Sequence, residues 1–192
     1  MNVLYLIGPP ASGKSTLMAH LTQEAARTPN PNHPIPHDHL TYPDTTTAAE
    51  LGTHRPHFPG TDTLSMSINP TATASLTNGT WNSHDHLLAE GDRLANTQFL
   101  LTAHTHHQLT VLYLHAPPHL TRERAHKRGS KQSETWTRGR ATKAERLAAL
   151  LDAHGVNVHE LPAHHPPHHI AEQARSLSHL PAPEQNKEGP RT

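Results

Sequence analysis

The chain has 192 residues, enough for one domain with a real core, and a formal net charge of zero, which excludes a protein that coats nucleic acid by bulk charge alone. There is no cysteine, so disulfides and thiolate metal sites are excluded. Only 33% of residues are apolar, none in a run of membrane-spanning length, and the first strand candidate begins at residue 2; this predicts a soluble cytoplasmic protein with no signal peptide and extensive polar loops.

The run Val3-Leu4-Tyr5-Leu6-Ile7 predicts a strand over 2–8. Gly8-Pro9-Pro10-Ala11-Ser12-Gly13-Lys14-Ser15-Thr16 follows it and satisfies G-x-x-x-x-G-K-[ST], with a helix expected over 14–26. Strand, glycine-rich loop and helix is the order that a phosphate-binding loop requires. Gly8 and Gly13 allow successive N–H groups to converge on phosphate oxygens, and the helix N-terminus adds to that field. Pro9 and Pro10 carry no N–H, so the donors come from Ala11 onward, through Ser12, Gly13 and Thr16. In this arrangement Lys14 reaches the β- and γ-phosphates of ATP and the Ser15 hydroxyl ligates Mg²⁺.

Prolines at 29, 31, 34 and 36 predict a rigid approach to a second strand over 35–41. A loop rich in breakers, Arg55 to Asp62, leads to a helix over about 62–77, with Thr61 or Asp62 as its cap. Strands are then expected over 86–90, 109–115 and 156–161. The remaining helices are expected over 92–104, 118–128, 139–153 and 168–179. From Pro181 the sequence loses its apolar period and reads as a mobile tail. Strands alternating with helices imply an α/β fold, a parallel sheet covered on both faces, with ligands at the carboxyl ends of the strands.

That rule selects the chemistry-bearing residues. Glu90 closes an apolar strand, the placement needed to hold Mg²⁺; Asp92 is the competing acid, or else a helix cap. Arg93, one step on, is placed to contact an anionic substrate. Asp38, at the second strand, suits a general base toward an acceptor hydroxyl, or a turn. Arg55, Phe58 and Asp62 offer a cation, an aromatic ring and an acid for an acceptor clamp. Segment 122–146 holds nine cations and three acids, a net of +6 within a neutral chain. Arg124 and Arg128 share a helix face, Gly129 to Ser133 breaks the helix, and Arg138 and Arg140 precede the next one. This is how a lid over phosphates is built, with Arg124, Arg128 and Arg138 supplying charge to a transferring phosphoryl group. A solvated basic face or a nucleic-acid patch is the alternative. The 21 histidines are scattered, and even His164-His165-Pro166-Pro167-His168-His169 has no acid within it, so no metal site is read there.

Together the glycine-rich loop, Glu90-Gly91-Asp92-Arg93 and the stretch Arg122 to Arg140 resemble the P-loop kinases of the nucleoside and nucleotide kinase type, over roughly residues 1–180. The resemblance implies a three-layer fold with a five-stranded parallel sheet, ATP over Gly13-Lys14-Ser15-Thr16, and a mobile lid of about 122–140 carrying Arg124, Arg128 and Arg138. Many such kinases have glycine where this chain has Ala11, and several have an Asp-x-Asp at the second strand that is missing here. The chain is also similar to kinases of phages and actinobacteria, which implies a bacterial or phage-infected cell. Some of these act on nucleotides and some on hydroxymethyl pyrimidines in DNA. The expected acceptor is thus a nucleoside, a nucleotide or a modified base. A P-loop ATPase acting as a switch or in DNA processing, and a non-catalytic nucleic-acid binder, are the competing readings.

Overall fold

The computed structural model describes residues 1–53 and 60–183. The elements run β1 (Asn2–Ile7), α1 (Lys14–Thr22), β2 (Ala26–Asn30), β3 (His37–Thr41), β4 (Thr47–Leu51), a 3₁₀ turn (Gly60–Thr63), α2 (Asn69–Ser75), β5 (His86–Glu90), α3 (Thr97–His106), β6 (Gln108–His115), α4 (Pro118–Lys127), α5 (Glu134–Ala153), β7 (Asn157–Pro162) and α6 (Pro167–Ser178). They form one sheet in the order β2-β3-β4-β5-β1-β6-β7. The five strands β4, β5, β1, β6 and β7 are mutually parallel, as expected. Two more, β2 and β3, extend the β4 edge as an antiparallel meander, so the sheet has seven strands rather than five.

β1 lies at the centre and is buried on both faces, which is why it reads as an unbroken apolar run. Val3, Tyr5 and Ile7 point into one layer with Ala72 of α2, Phe99 and Leu100 of α3, and Leu147 and Leu151 of α5. Leu4 and Leu6 point into the other with Leu17, Met18 and Leu21 of α1 and Ile170 and Ala174 of α6. Each such leucine contributes about 1.5–3 kcal/mol by leaving water. The result is a three-layer sandwich whose phosphate loop sits at the carboxyl end of the central strand. None of the described helices is long and apolar enough to cross a membrane.

Five boundaries depart from the sequence reading. The first helix stops at Thr22 rather than 26, because the chain turns into β2 and Arg27 takes partners within the sheet. The second predicted strand, 35–41, starts at His37 and runs antiparallel; the strand that lies beside β5 is β4, ending Glu50-Leu51. The helix expected over 62–77 divides into the 3₁₀ turn and α2. α3 begins at Thr97 under an Asn96 cap, so Asp92 is not its cap, whereas α5 begins five residues earlier than expected, where Ser133 accepts from the Trp136 N–H. At the carboxyl end, Leu180 is buried and the Pro181 carbonyl accepts from Arg175 at 2.7 Å, anchoring the chain to that point.

Candidate active site

The turn from β1 into α1 is stabilised from within. Ser12 N–H donates to the Pro9 carbonyl at 3.2 Å and Leu17 N–H to the Gly13 carbonyl at 2.8 Å. Gly13 sits at φ 99° and Ala11 at φ 60°, both in the left-handed region. A side chain at Gly8 would strike the Leu114 carbonyl and Ser12 Oγ at 2.3 and 2.9 Å, so β6 approaches the loop as closely as glycine permits.

Three features fit a triphosphate and its cation. Lys14 Nζ donates to the Gly8 and Pro9 carbonyls at 3.0 Å each, so the loop's own backbone holds the ammonium. Ser12 Oγ is buried with no hydrogen-bond partner, an orphan acceptor and donor inside the loop. Ser15 Oγ donates to Glu90 Oε1 at 2.7 Å, so the hydroxyl and the carboxylate expected to share a hard cation already touch. Glu90 is 3% exposed, and burial raises its carboxyl to about 7 against the opposing pull of Ser15 and Lys14. Burial likewise lowers the Lys14 ammonium, with Glu90, Asp92 and Asp62 pulling it back.

Gly52 and Gly60 make close backbone approaches beside Glu90. A Cβ on Gly52 would lie 1.9 Å from the Gly60 carbonyl, and one on Gly60 would lie 2.6 Å from that of Glu90. Tyr5, from the central strand, donates to the Gly91 carbonyl at 2.8 Å. Asp62 Oδ1 accepts the N–H groups of Asp92 and Arg93 at 2.9 and 3.2 Å, so its carboxylate shapes the turn that carries them. Asp92 in turn pairs with Arg140 at 3.2 Å, leaving Glu90 as the acid beside Ser15. Arg93 lies against Met66.

Arg124 and Arg128 border a cavity of about 360 Å³ beside the loop, together with Gly13, Thr16 and His165. Arg124 bridges its two walls, donating to the Ser12 carbonyl at 3.4 Å and the Ala163 carbonyl at 2.8 Å. Arg138 is exposed on α5, roughly opposite the buried stripe of that helix. Arg55 and Phe58 lie outside the described residues. Asp38 is 2% exposed and bonds Arg27 at 2.5 Å; the same guanidinium takes Glu50 at 2.7 Å and Thr22 at 3.1 Å. The end of the parallel strand beside β5, where an acceptor base was expected, is therefore occupied by Glu50, paired across strands with Asp38. Sequence reasoning also passed over Lys143, which lines a small cavity with Lys14, Gly91 and Asp92, and Trp136, which lies under Arg140. The signal was present: positions 136, 140, 143, 147 and 151 make one helical stripe.

A family model described as P-loop Nucleotide Kinase3 matches residues 1–173. The chain belongs to the P-loop nucleotide kinase 3 family. This P-loop nucleotide kinase is thus a phosphotransferase with a nucleotide-binding phosphate loop. No curated protein matches it. Among solved structures it is similar to the deoxyadenosine kinase of M. mycoides with the products dCMP and a flexible dCDP bound, at 11% identity and a TM-score of 0.50, covering 91% of this chain and 97% of that one. The same enzyme with dCTP bound gives 10% identity and a TM-score of 0.50 at the same coverage. An unliganded sugar kinase from Janibacter sp. HTCC2649 gives 13% identity and a TM-score of 0.49, over 94% and 95% of the two chains. At these identities the similarity speaks to the fold.

Proposed function

We propose that this kinase uses ATP and Mg²⁺ to phosphorylate a nucleoside, a nucleotide or a modified pyrimidine, a hydroxymethyl pyrimidine within DNA among them. The observation that supports it most is the Ser15–Glu90 contact beneath a loop whose lysine is held by backbone carbonyls. Lys14 and the N–H groups from Ala11 onward bind the β- and γ-phosphates, and the unpartnered Ser12 hydroxyl adds a further donor. Ser15 and Glu90 hold the cation, which when bound neutralises charge on the transferring group. Arg124 and Arg128 enclose the nucleotide from the lid, about 122–140, and Arg138 joins them only if that segment moves.

The acceptor enters on the Asp62–Arg93 side, where Arg55, Phe58, Asp62 and Arg93 were expected to clamp it. Its hydroxyl proton passes to the Asp38–Glu50 pair, through Glu50, which at 13% is the more exposed partner. Arg27 pairs with both carboxylates and holds them side by side. A cytoplasmic location in a bacterium or phage-infected cell suits such substrates.

The test is γ-labelled ATP incubated with nucleosides, nucleotides, hexoses and hydroxymethylated DNA. Label on one of the nucleic-acid acceptors is expected. Free phosphate accumulating in step with turnover, with no acceptor labelled, would overturn the assignment.

A further inference from the structure

Exposed apolar side chains carry meaning where they gather, and among the described residues the large ones are Met66, Trp136 and Leu150, at 81%, 38% and 38% exposure. Two of the three flank one short turn. Trp136 lies under the Arg140 guanidinium, 5.2 Å from its ring centroid, and Arg140 pairs with Asp92. Met66 contacts Arg93, the next residue along. The turn itself is fixed by Asp62, and its other neighbour is the small cavity shared by Lys14 and Lys143. Arg93 Nε is buried without a hydrogen-bond partner, a donor held at the site with nothing to receive it. An aromatic face, a polarisable thioether and four cations around one anchored turn suit a flat ring that carries an anion. They offer little to a sugar, whose hydroxyls need paired acceptors.

We infer that Trp136 and Met66 form the acceptor-base platform, with Arg93 and Arg140 receiving the phosphate of a nucleoside monophosphate or of a nucleotide within a strand. This deepens the kinase reading above and rests on it. In the absence of acceptor, Asp92 occupies Arg140; the acceptor's phosphate takes over that guanidinium, and the base stacks on the indole. Arg138, on the outer side of α5, takes no part.

The chain's own tryptophans supply the assay. Trp81, the second of the two, is 3% exposed, bonded to Ser75 and packed among the rings of His33, His37 and His84, so emission changes on ligand addition report Trp136. With ADP and Mg²⁺ saturating the phosphate loop, the protein is titrated with dAMP, dCMP, dGMP, dTMP, a short single-stranded oligonucleotide and ribose 5-phosphate. At least one base-bearing probe is expected to change Trp136 emission saturably, and ribose 5-phosphate to leave it unchanged. A response to the oligonucleotide but to no monophosphate assigns the platform to a base within a strand. In acceptor binding by calorimetry, Trp136→Ala is expected to weaken the responding probe about tenfold or more. Trp136→Phe should recover most of it, and ADP affinity should not change in either variant. A ribose 5-phosphate response equal to that of the nucleotides, silence of every base-bearing probe, or full affinity in Trp136→Ala overturns the proposal. Labelled transfer to a sugar while Trp136 stays silent removes this platform and leaves the kinase reading; base binding without transfer to any acceptor does the reverse.

Discussion

Glu90 is 3% exposed, and its carboxyl lies at about 7 instead of the ordinary 4.5, chiefly because burial penalises the charge. Holding it ionised therefore costs the folded protein about 3 kcal/mol, at roughly 1.4 kcal/mol per tenfold change in proton affinity. The sign follows from proton binding. The folded state binds this proton more tightly than the unfolded chain, so the penalty is absent below 4.5, grows between 4.5 and 7, and is complete above 7. Glu90→Gln keeps an acceptor for Ser15 at nearly the same volume and removes the charge. Urea unfolding of both proteins at pH 5 and pH 8.5 reads the difference. The variant is expected to gain about 2–3 kcal/mol more, relative to the parent, at the higher pH. Every other ionisable group is common to both proteins and cancels from that comparison. The same variant should lose Mg²⁺-dependent nucleotide binding. Equal stability differences at the two pH values would refute the claim that Glu90 is a buried charge kept against its own cost.

Three further outcomes follow from the geometry. Lys14→Ala should lower the transfer rate about 100-fold or more while leaving the thermal midpoint nearly unchanged, since among the described residues Nζ bonds two loop carbonyls and no side chain. Gly60→Ala places a methyl group 2.6 Å from the Glu90 carbonyl at φ 70°; thermal unfolding should show a loss of at least about 2 kcal/mol, together with reduced Mg²⁺ affinity. Arg27→Met leaves Asp38 and Glu50 facing each other unneutralised and should cost about 2–3 kcal/mol by denaturant unfolding, less than a fully buried pair because Arg27 is 26% exposed; adding Asp38→Asn should restore part of it.

The central half of the fold was legible because its signals are local. β1 is apolar without a break, the loop motif has fixed spacing, and β5 and β6 are short apolar runs; each reads as itself whatever surrounds it. β4 does not. Thr-Ala-Ala-Glu-Leu has the composition of a helix, and only pairing with β3 and β5 makes it a strand. β2 was obscured by Pro29 and by alanines that extend the helical pattern of α1. Missing that meander left Glu50, the register partner of Asp38, out of the candidate residues. At the site, Lys14, Ser15 and Glu90 were recoverable because strand-loop-helix order fixes where they converge. Asp62 and Arg140 act through contacts 30 and 48 residues distant in sequence, with Asp92, and no local pattern announces such pairs.

Ala11 holds the phosphate loop at φ 60°, where a methyl side chain is disfavoured by about 1–2 kcal/mol. Glycine would relieve that strain but would also let the peptide swing among many orientations. The alanine thus makes the anion cradle stiffer than a glycine cradle, so that less disorder has to be removed when phosphate arrives. Its effect belongs to preorganisation: fewer wrong shapes for the nucleotide to select against, obtained from a single methyl group.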